Sequence, residues 1–318
     1  MLFPQFFRVP VLALLLVAGG VYSFAQARTV ALTFDDLPVV EENDPTRAQA
    51  ITSSILDALN RRHASAIGFV IGQRVEELGN AQGKHLLEQW TRHGHSLGNH
   101  TFSHPDLNNL TAEQFDQDVI ANEKILDSVR AKDGSNFRYF RFPYNHTGNT
   151  ETKHSAVAAF LAKRGYRVAT CTIDNEDYLF NHAYVLMLSR KDEASARRLR
   201  AEYLAYTATE IDYYNSLHKQ VFGREIPQVM LLHVNQLNAD VIDELLAIFE
   251  QKQYRFVTLD TAQSNPAYQT PDRLATAGGT MWGYRWAKER GVKVDGRLET
   301  EPAAWISEYG REPANPLK

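Results

Sequence analysis

The sequence holds a single cysteine, Cys171, among 318 residues. An intrachain disulfide framework and any multi-cysteine metal site are thereby excluded. There is no internal repeat, no low-complexity tract and no Gly/Ser linker. No block of Lys or Arg stands out, and 34 basic against 38 acidic residues leave a formal charge of -4. That balance argues against a protein built to grip a nucleic-acid backbone. Cys171 lies within a strand pattern, and a mechanism based on a nucleophilic serine or cysteine is not expected. What remains abundant is ordinary: 44% hydrophobic and 23% charged residues, as in soluble globular proteins. Eleven histidines are the available soft ligands should a metal be bound.

One apolar run stands out. Residues 1–27 carry a single charge, Arg8, followed by Val9 to Phe24 and the small-x-small ending Ala25-Gln26-Ala27. The run is too short to span a bilayer comfortably as a helix. It reads as a signal peptide over 1–27, cleaved after Ala27. The mature chain is then exported, periplasmic or secreted, with no stable membrane span.

Beyond it, short β-branched runs alternate with helical periods. Strands are expected at 29–34, 66–71, 95–99, 137–142, 166–173, 228–234 and 254–259, with helices at 47–62, 84–93, 111–129, 152–164 and 239–252. Thr111 and Gln114 form the two corners of a capping box. Seven strands alternating with helices predict a parallel α/β layout whose C-terminal strand ends share one face. The stretch from Tyr178 to Pro227 is too long for a structureless loop, and its part from Glu193 to His218 has a helical period, so an inserted helical lid is expected. The domain reading is a barrel over 28–262 with a helical insertion at 179–227, and a C-terminal tail, 263–318, packed on the barrel.

Titratable residues gather at the predicted strand ends. Strand one ends in Asp35-Asp36, strand three in His100-Thr-Phe-Ser-His104 and strand four in Arg141-Phe-Pro-Tyr-Asn145. Strand five ends in Asp174-Asn-Glu-Asp177-Tyr178, and strand six in His233. Each piece alone is weak: with eleven His in 318 residues, a His-x-x-x-His pair arises by chance about 0.4 times. Their conjunction at successive strand ends carries the signal. Two imidazoles and a carboxylate suit a zinc-type divalent ion with open positions. A second carboxylate can act as general base, and a histidine opposite can protonate a leaving nitrogen. That outfit hydrolyses an amide or ester without a covalent enzyme intermediate.

These motifs, Thr33-Phe-Asp-Asp36, His100-Thr-Phe-Ser-His104, Arg141-Phe-Pro-Tyr144, Asp174-x-x-Asp177-Tyr178 and Leu231-Leu-His233, resemble in order the five motifs of the polysaccharide deacetylase family, the NodB-homology or carbohydrate esterase family 4 group. The resemblance covers about Thr29 to Asp260. It implies a distorted seven-stranded (β/α) barrel and a hydrolase of linear amide bonds that removes N-acetyl groups from an amino-sugar polysaccharide. It also implies roles: Asp36, His100 and His104 as ligands of Zn2+, Co2+ or Ni2+; Asp35 as general base, paired with Arg141; and His233 as general acid, oriented by Asp174. The Tyr144 backbone N–H would meet the oxyanion, and Leu231 and Tyr178 would wall the acetyl pocket. The partner implied is an acetylated glycan, such as peptidoglycan, a chitin-like polymer or an exopolysaccharide. The chain departs from the family pattern at Tyr178, where Trp is usual, and at Asn145, where Gly is usual. An O-acetyl esterase, a small-amide hydrolase on the same barrel and a non-catalytic glycan binder are the rival functions.

Overall fold

The computed structural model describes residues 27–40, 42–129 and 138–311; the expected signal peptide lies outside them except for its last residue. Among the described residues there are seven strands: β1 Arg28–Leu37, β2 Ala66–Val70, β3 Ser96–Asn99, β4 Arg138–Phe140, β5 Tyr166–Val168, β6 Gln228–His233 and β7 Tyr254–Phe256. They form one parallel sheet in the order β5-β4-β3-β2-β1-β6, with β7 on the N-terminal part of β1. The sheet curls. Regular pairing of β5 stops at Val168, and the chain beyond peels away to meet the far edge of the sheet, where Ile173 bridges to Met230 of β6. The strand expected over 166–173 is therefore split into a short paired piece and a bridging piece.

Alternation along β1 explains the layers. Val30, Leu32 and Phe34 face the helix layer, and Ala31 faces a smaller interior cluster with Ile67, Phe69 and Val229. A period of two then aims Thr33 and Asp35 into the barrel interior with Ala31. The helices over the first half are α1 Pro45–Arg61, α2 Gly72–Glu77, α3 Asn80–Arg92, α4 Ala112–Val129 and α5 Glu151–Lys163. α1 is started by Asp44, whose carboxylate accepts the N–H groups of Thr46 and Arg47, and by Pro45 at the first position. The capping box before α4 is made: Thr111 N–H donates to Gln114 Oε1 at 2.9 Å, and Gln114 N–H to Thr111 Oγ1 at 3.2 Å.

Between β5 and β6 stand two helices, α6 Asp177–Ser189 and α7 Glu193–Phe222. The helical period was legible only for α7, which runs one turn further than expected. α8 Gln236–Gln251 follows β6, and the tail adds α9 Leu259–Gln263, α10 Trp282–Glu289 and α11 Ala304–Arg311. The tail beyond 263 packs mainly on the two helices between β5 and β6: α10 on α7, and α11 on α6. Trp286 meets His218 and Phe222 of α7 edge-on. Trp305 donates to Glu202 at 2.8 Å and lies under the Arg198 guanidinium. Arg198 itself stays exposed on α7 and also pairs with Glu202 at 2.8 Å.

Candidate active site

At the C-terminal ends of the strands a cleft of about 700 Å³ is lined by Asp35, Asp36, His100, His104, Tyr144, Asp174, Tyr178, Leu231 and His233. The sequence-predicted residues therefore converge, with Arg141 buried beside Asp35. Backbone geometry is unusual here. Of nine non-glycine residues with positive φ among the described residues, six lie around this mouth: Asp36, Thr101, His104, Tyr144, Asn145 and Glu176. Such strain concentrates where the surroundings over-determine a functional conformation. At Asp36 (φ 66) it breaks the strand alternation just after Asp35. Both carboxylates thus reach one cleft.

The His100–His104 loop is shaped by short polar side chains. Asn99 Oδ1 accepts Thr101 N–H (2.8 Å), Thr101 Oγ1 accepts His104 N–H (3.0 Å), and Asp118 of α4 accepts the N–H groups of Phe102 and Ser103. His100 Nδ1 donates to the Arg141 carbonyl at 2.8 Å. The other ring nitrogen, Nε2, is left as an acceptor facing the carboxylates. Burial holds the His100 imidazole well below its usual range, and burial lowers His104 as well. Both rings are therefore neutral, as ligation requires.

Asp36 Oδ1 is buried without a hydrogen-bond partner, and lies 3.5 Å from His100 Nε2 and 3.6 Å from His104 Nε2. Those gaps are too long for hydrogen bonds. They are close to the roughly 3.3–3.4 Å between neighbouring ligands of a tetrahedral ion bound at about 2.0–2.1 Å. An orphaned buried carboxylate oxygen between two neutral imidazoles fits a divalent cation. Asp36, His100 and His104 are also the one group of three such ligating side chains found close together among the described residues.

Asp35 sits beside this set, 3.7 Å from His100 Nε2 and 4.0 Å from Arg141 Nε. Arg141 spends its one hydrogen bond elsewhere, on Thr33 Oγ1 at 2.9 Å, and stacks over Phe69. It acts on Asp35 through charge at short range. Burial pushes the Asp35 carboxyl up to about 6, against the pull of Arg141 and His233.

On the opposite wall the structure corrects one pairing. Asp174 does not hold His233; its carboxylate accepts the Glu176 N–H at 3.0 Å. Asp177 does the holding, taking His233 Nδ1 at 2.6 Å and the His233 backbone N–H at 2.7 Å, with Asn235 and Asn238 donating to the same carboxylate. The reason is local. Glu176 adopts a left-handed conformation and α6 begins at Asp177, which turns that side chain toward β6. Burial works against a charge on His233, but the Asp177 charge and hydrogen bond, with Asp36 and Asp35 behind them, raise it to about 10. Spacing alone did not single out Asp177, three residues after Asp174, nor Asn238, which also donates to the His233 carbonyl at 2.9 Å.

Leu231 and Tyr178 both line the cleft. Leu231 is buried at the cleft and Tyr178 is half exposed, its ring 6.4 Å from that of His233. His146 reaches the cleft and pairs with Asp106 at 2.8 Å. His95 is structural: it accepts the Ala66 N–H and is buried against Trp90. The sequence reading missed Arg74, which lines the cleft 3.9 Å from Asp36. It also passed over the letters of a serine elbow in Gly94-His95-Ser96-Leu97-Gly98; Ser96 is exposed at the start of β3, the end away from the mouth, and no nucleophile sits there.

A curled parallel (β/α) barrel with this mouth defines a NodB-like hydrolase fold. Residues 24–174, just under half of the chain, match the family model described as polysaccharide deacetylase, in keeping with the resemblance read from the motifs. It is 29% identical over 143 residues to a peptidoglycan-N-acetylglucosamine deacetylase of Bacillus cereus, a match covering 45% of each chain. It is 27% identical over 174 residues to a chitin deacetylase of Colletotrichum lindemuthianum, covering 54% of this chain and 62% of the relative. The matched part is thus about half the length of these relatives. Among solved structures, a carbohydrate esterase family 4 pseudoenzyme from Bacillus anthracis superposes with a TM-score of 0.50 at 14% identity, over 74% of this chain and 66% of the other. That likeness bears on the fold.

Proposed function

We propose that the protein is an exported, metal-dependent deacetylase that removes N-acetyl groups from an amino-sugar polymer of the cell envelope. The observation that carries the reading is the pairing of an incomplete cation site, Asp36–His100–His104, with two groups of opposite proton affinity on either side of it, Asp35 and His233. The peptidoglycan and chitin deacetylases among the relatives support the substrate class.

A divalent ion, zinc-like by its donor set, would be held by Asp36, His100 and His104 and would supply Lewis acidity toward the acetyl carbonyl. The chain's own residues do the rest. Asp35, ionised near neutral pH yet more basic than an ordinary carboxylate, takes the proton of the attacking water. Arg141 keeps that carboxylate charged and in place. The N–H of Tyr144 meets the oxygen on which negative charge develops. His233, protonated near neutral pH and fixed by Asp177, delivers a proton to the departing nitrogen. The C–N bond breaks, and the products are acetate and the free amine. Leu231 and Tyr178 enclose the methyl group, and α6 supplies the outer wall through Tyr178, Leu179, Asn181 and His182.

The test is acetate release from a chitooligosaccharide. The expected result is release that a chelator abolishes and Zn2+ or Co2+ restores. Release from acetylated xylan with none from N-acetylated glycans would replace the reading with an O-acetyl esterase. Glycan binding without hydrolysis under any metal would replace it with a binding module.

A further inference from the structure

After the last strand the chain returns to the cleft mouth. Residues 272–280 cross the turn that carries Tyr144 and Asn145, and they are tied to the loops beneath. Thr276 N–H donates to the Gly148 carbonyl at 3.0 Å, and Asn108 Nδ2 donates to the Ala277 carbonyl at 2.9 Å. The His154 ring lies between the carbonyl oxygens of Thr147 and Asp272, 2.9 Å from each.

Arg285, at the start of α10, clamps this layer from within. Its side chain is fully buried. Nε donates to the Thr280 carbonyl at 2.7 Å; Nη1 is 2.9 Å from Thr147 Oγ1, 3.0 Å from Asp272 Oδ2 and 3.1 Å from the Leu274 carbonyl. Nη2 reaches the Asn145 carbonyl at 3.5 Å. One guanidinium therefore joins both ends of the 272–280 segment to the far side of the Tyr144–Asn145 turn. Gly279 closes the near side: a Cβ built there would stand 2.2 Å from the Tyr144 carbonyl oxygen, and Gly279 itself lines the cleft.

The turn needs holding. Tyr144 (φ 57, ψ 14) and Asn145 (φ 54) are consecutive non-glycine residues in the left-handed region. Asn tolerates that region; Tyr does so at a cost. The conformation persists only where neighbours over-determine it, and here the neighbours come from residues 272–285.

We infer that the 272–280 strap, clamped by Arg285, is a working part of the cleft: it holds the Tyr144–Asn145 turn in the shape that presents the Tyr144 N–H to the reacting carbonyl. Arg285 is a positioning residue, and Gly279 is the contact through which the strap presses on the turn. The inference rests on the deacetylase reading for its catalytic half. The strap lies outside the 24–174 stretch that matches the family, so this chain's tail contributes to a site whose other parts come from the barrel.

The experiment compares wild type with Gly279→Ala and Thr147→Val, and with Arg285→Gln where it folds. Five quantities are read: kcat and KM on a chitooligosaccharide, zinc affinity, the thermal midpoint, and amide hydrogen exchange of the peptide covering 142–148. The expected result for Gly279→Ala is a kcat lower by roughly 10- to 100-fold. KM and zinc affinity should stay within about twofold, with faster exchange confined to 142–148. Thr147→Val, which removes one Arg285 contact, should move the same quantities in the same direction by less. Unchanged kcat in Gly279→Ala overturns the inference, whatever the exchange does. So does a parallel loss of kcat, zinc affinity and thermal stability, which would mark the strap as scaffolding only. If wild type itself releases no acetate, the deacetylase reading falls, while the exchange comparison still decides whether the strap holds the turn.

Discussion

Asp177 and Asp36 are both buried carboxylates at the same mouth, and their surroundings are opposite. Asp177 receives four N–H donors, from the His233 ring, the His233 backbone, Asn235 and Asn238. Asp36 keeps one oxygen with no donor at all, facing two neutral imidazoles, and its nearest cation, Arg74, is 3.9 Å away. A buried charge without compensation costs several kcal/mol. The wall around Asp177 has solved that problem internally, with hydrogen bonds. The wall around Asp36 leaves a position that a divalent cation would fill. The first wall is complete as it stands; the second has room for a ligand.

The contrast can be broken most forcefully at the metal wall. His104→Ala should reduce acetate release to background. It should also remove the rise in thermal midpoint that zinc gives the wild type, an effect of about 2.7 kcal/mol at a hundredfold excess over Kd. A midpoint that still responds to zinc, followed by calorimetry, would move the cation elsewhere. Next in size is Asp35→Asn, expected to lose about 10²–10⁴-fold in kcat while zinc affinity is kept; undiminished turnover would end the assignment of Asp35 as base. The pre-set wall is probed by a pair. Asp177→Asn should lower kcat by about 10²-fold, and Asp174→Asn by less than about tenfold, because only the former touches His233. Equal losses would mean that the hydrogen bond to His233 is not what orients it. The smallest change concerns Cys171, which is buried behind Asn145 and Met281, with its thiol pushed up to about 12 by burial. A thiol reagent should leave it untouched in the native protein and label it after denaturation, with or without a chelator. Labelling that begins on chelation would tie the metal wall to the tail.

The gathering of these side chains at one mouth was legible because a parallel sheet delivers the C-terminal ends of its strands to one place. Reading what followed each apolar run was enough to gather Asp35, Asp36, His100, His104, Arg141 and His233. The capping box before α4 was legible because its two side chains bond only to neighbouring backbone. The choice between Asp174 and Asp177 was not, since it depends on the left-handed turn at Glu176 and the first residue of α6. Nor was the strap. Its helices are short, α10 and α11 having eight residues each, and nothing in the spacing around Arg285 shows that its partners lie 138 and 13 positions away. Contacts of that span are settled by tertiary packing, which periodicity does not encode.

The pairing of β1 carries a consequence for how the chain comes together. This first strand of the barrel lies between β2, with the short β7 beyond it on the same side, and β6, which occupies Gln228–His233 on the other. Its second flank thus stays bare until some two hundred further residues have been made, and closing so large a loop is entropically slow. A nascent chain is therefore kept from completing its sheet early.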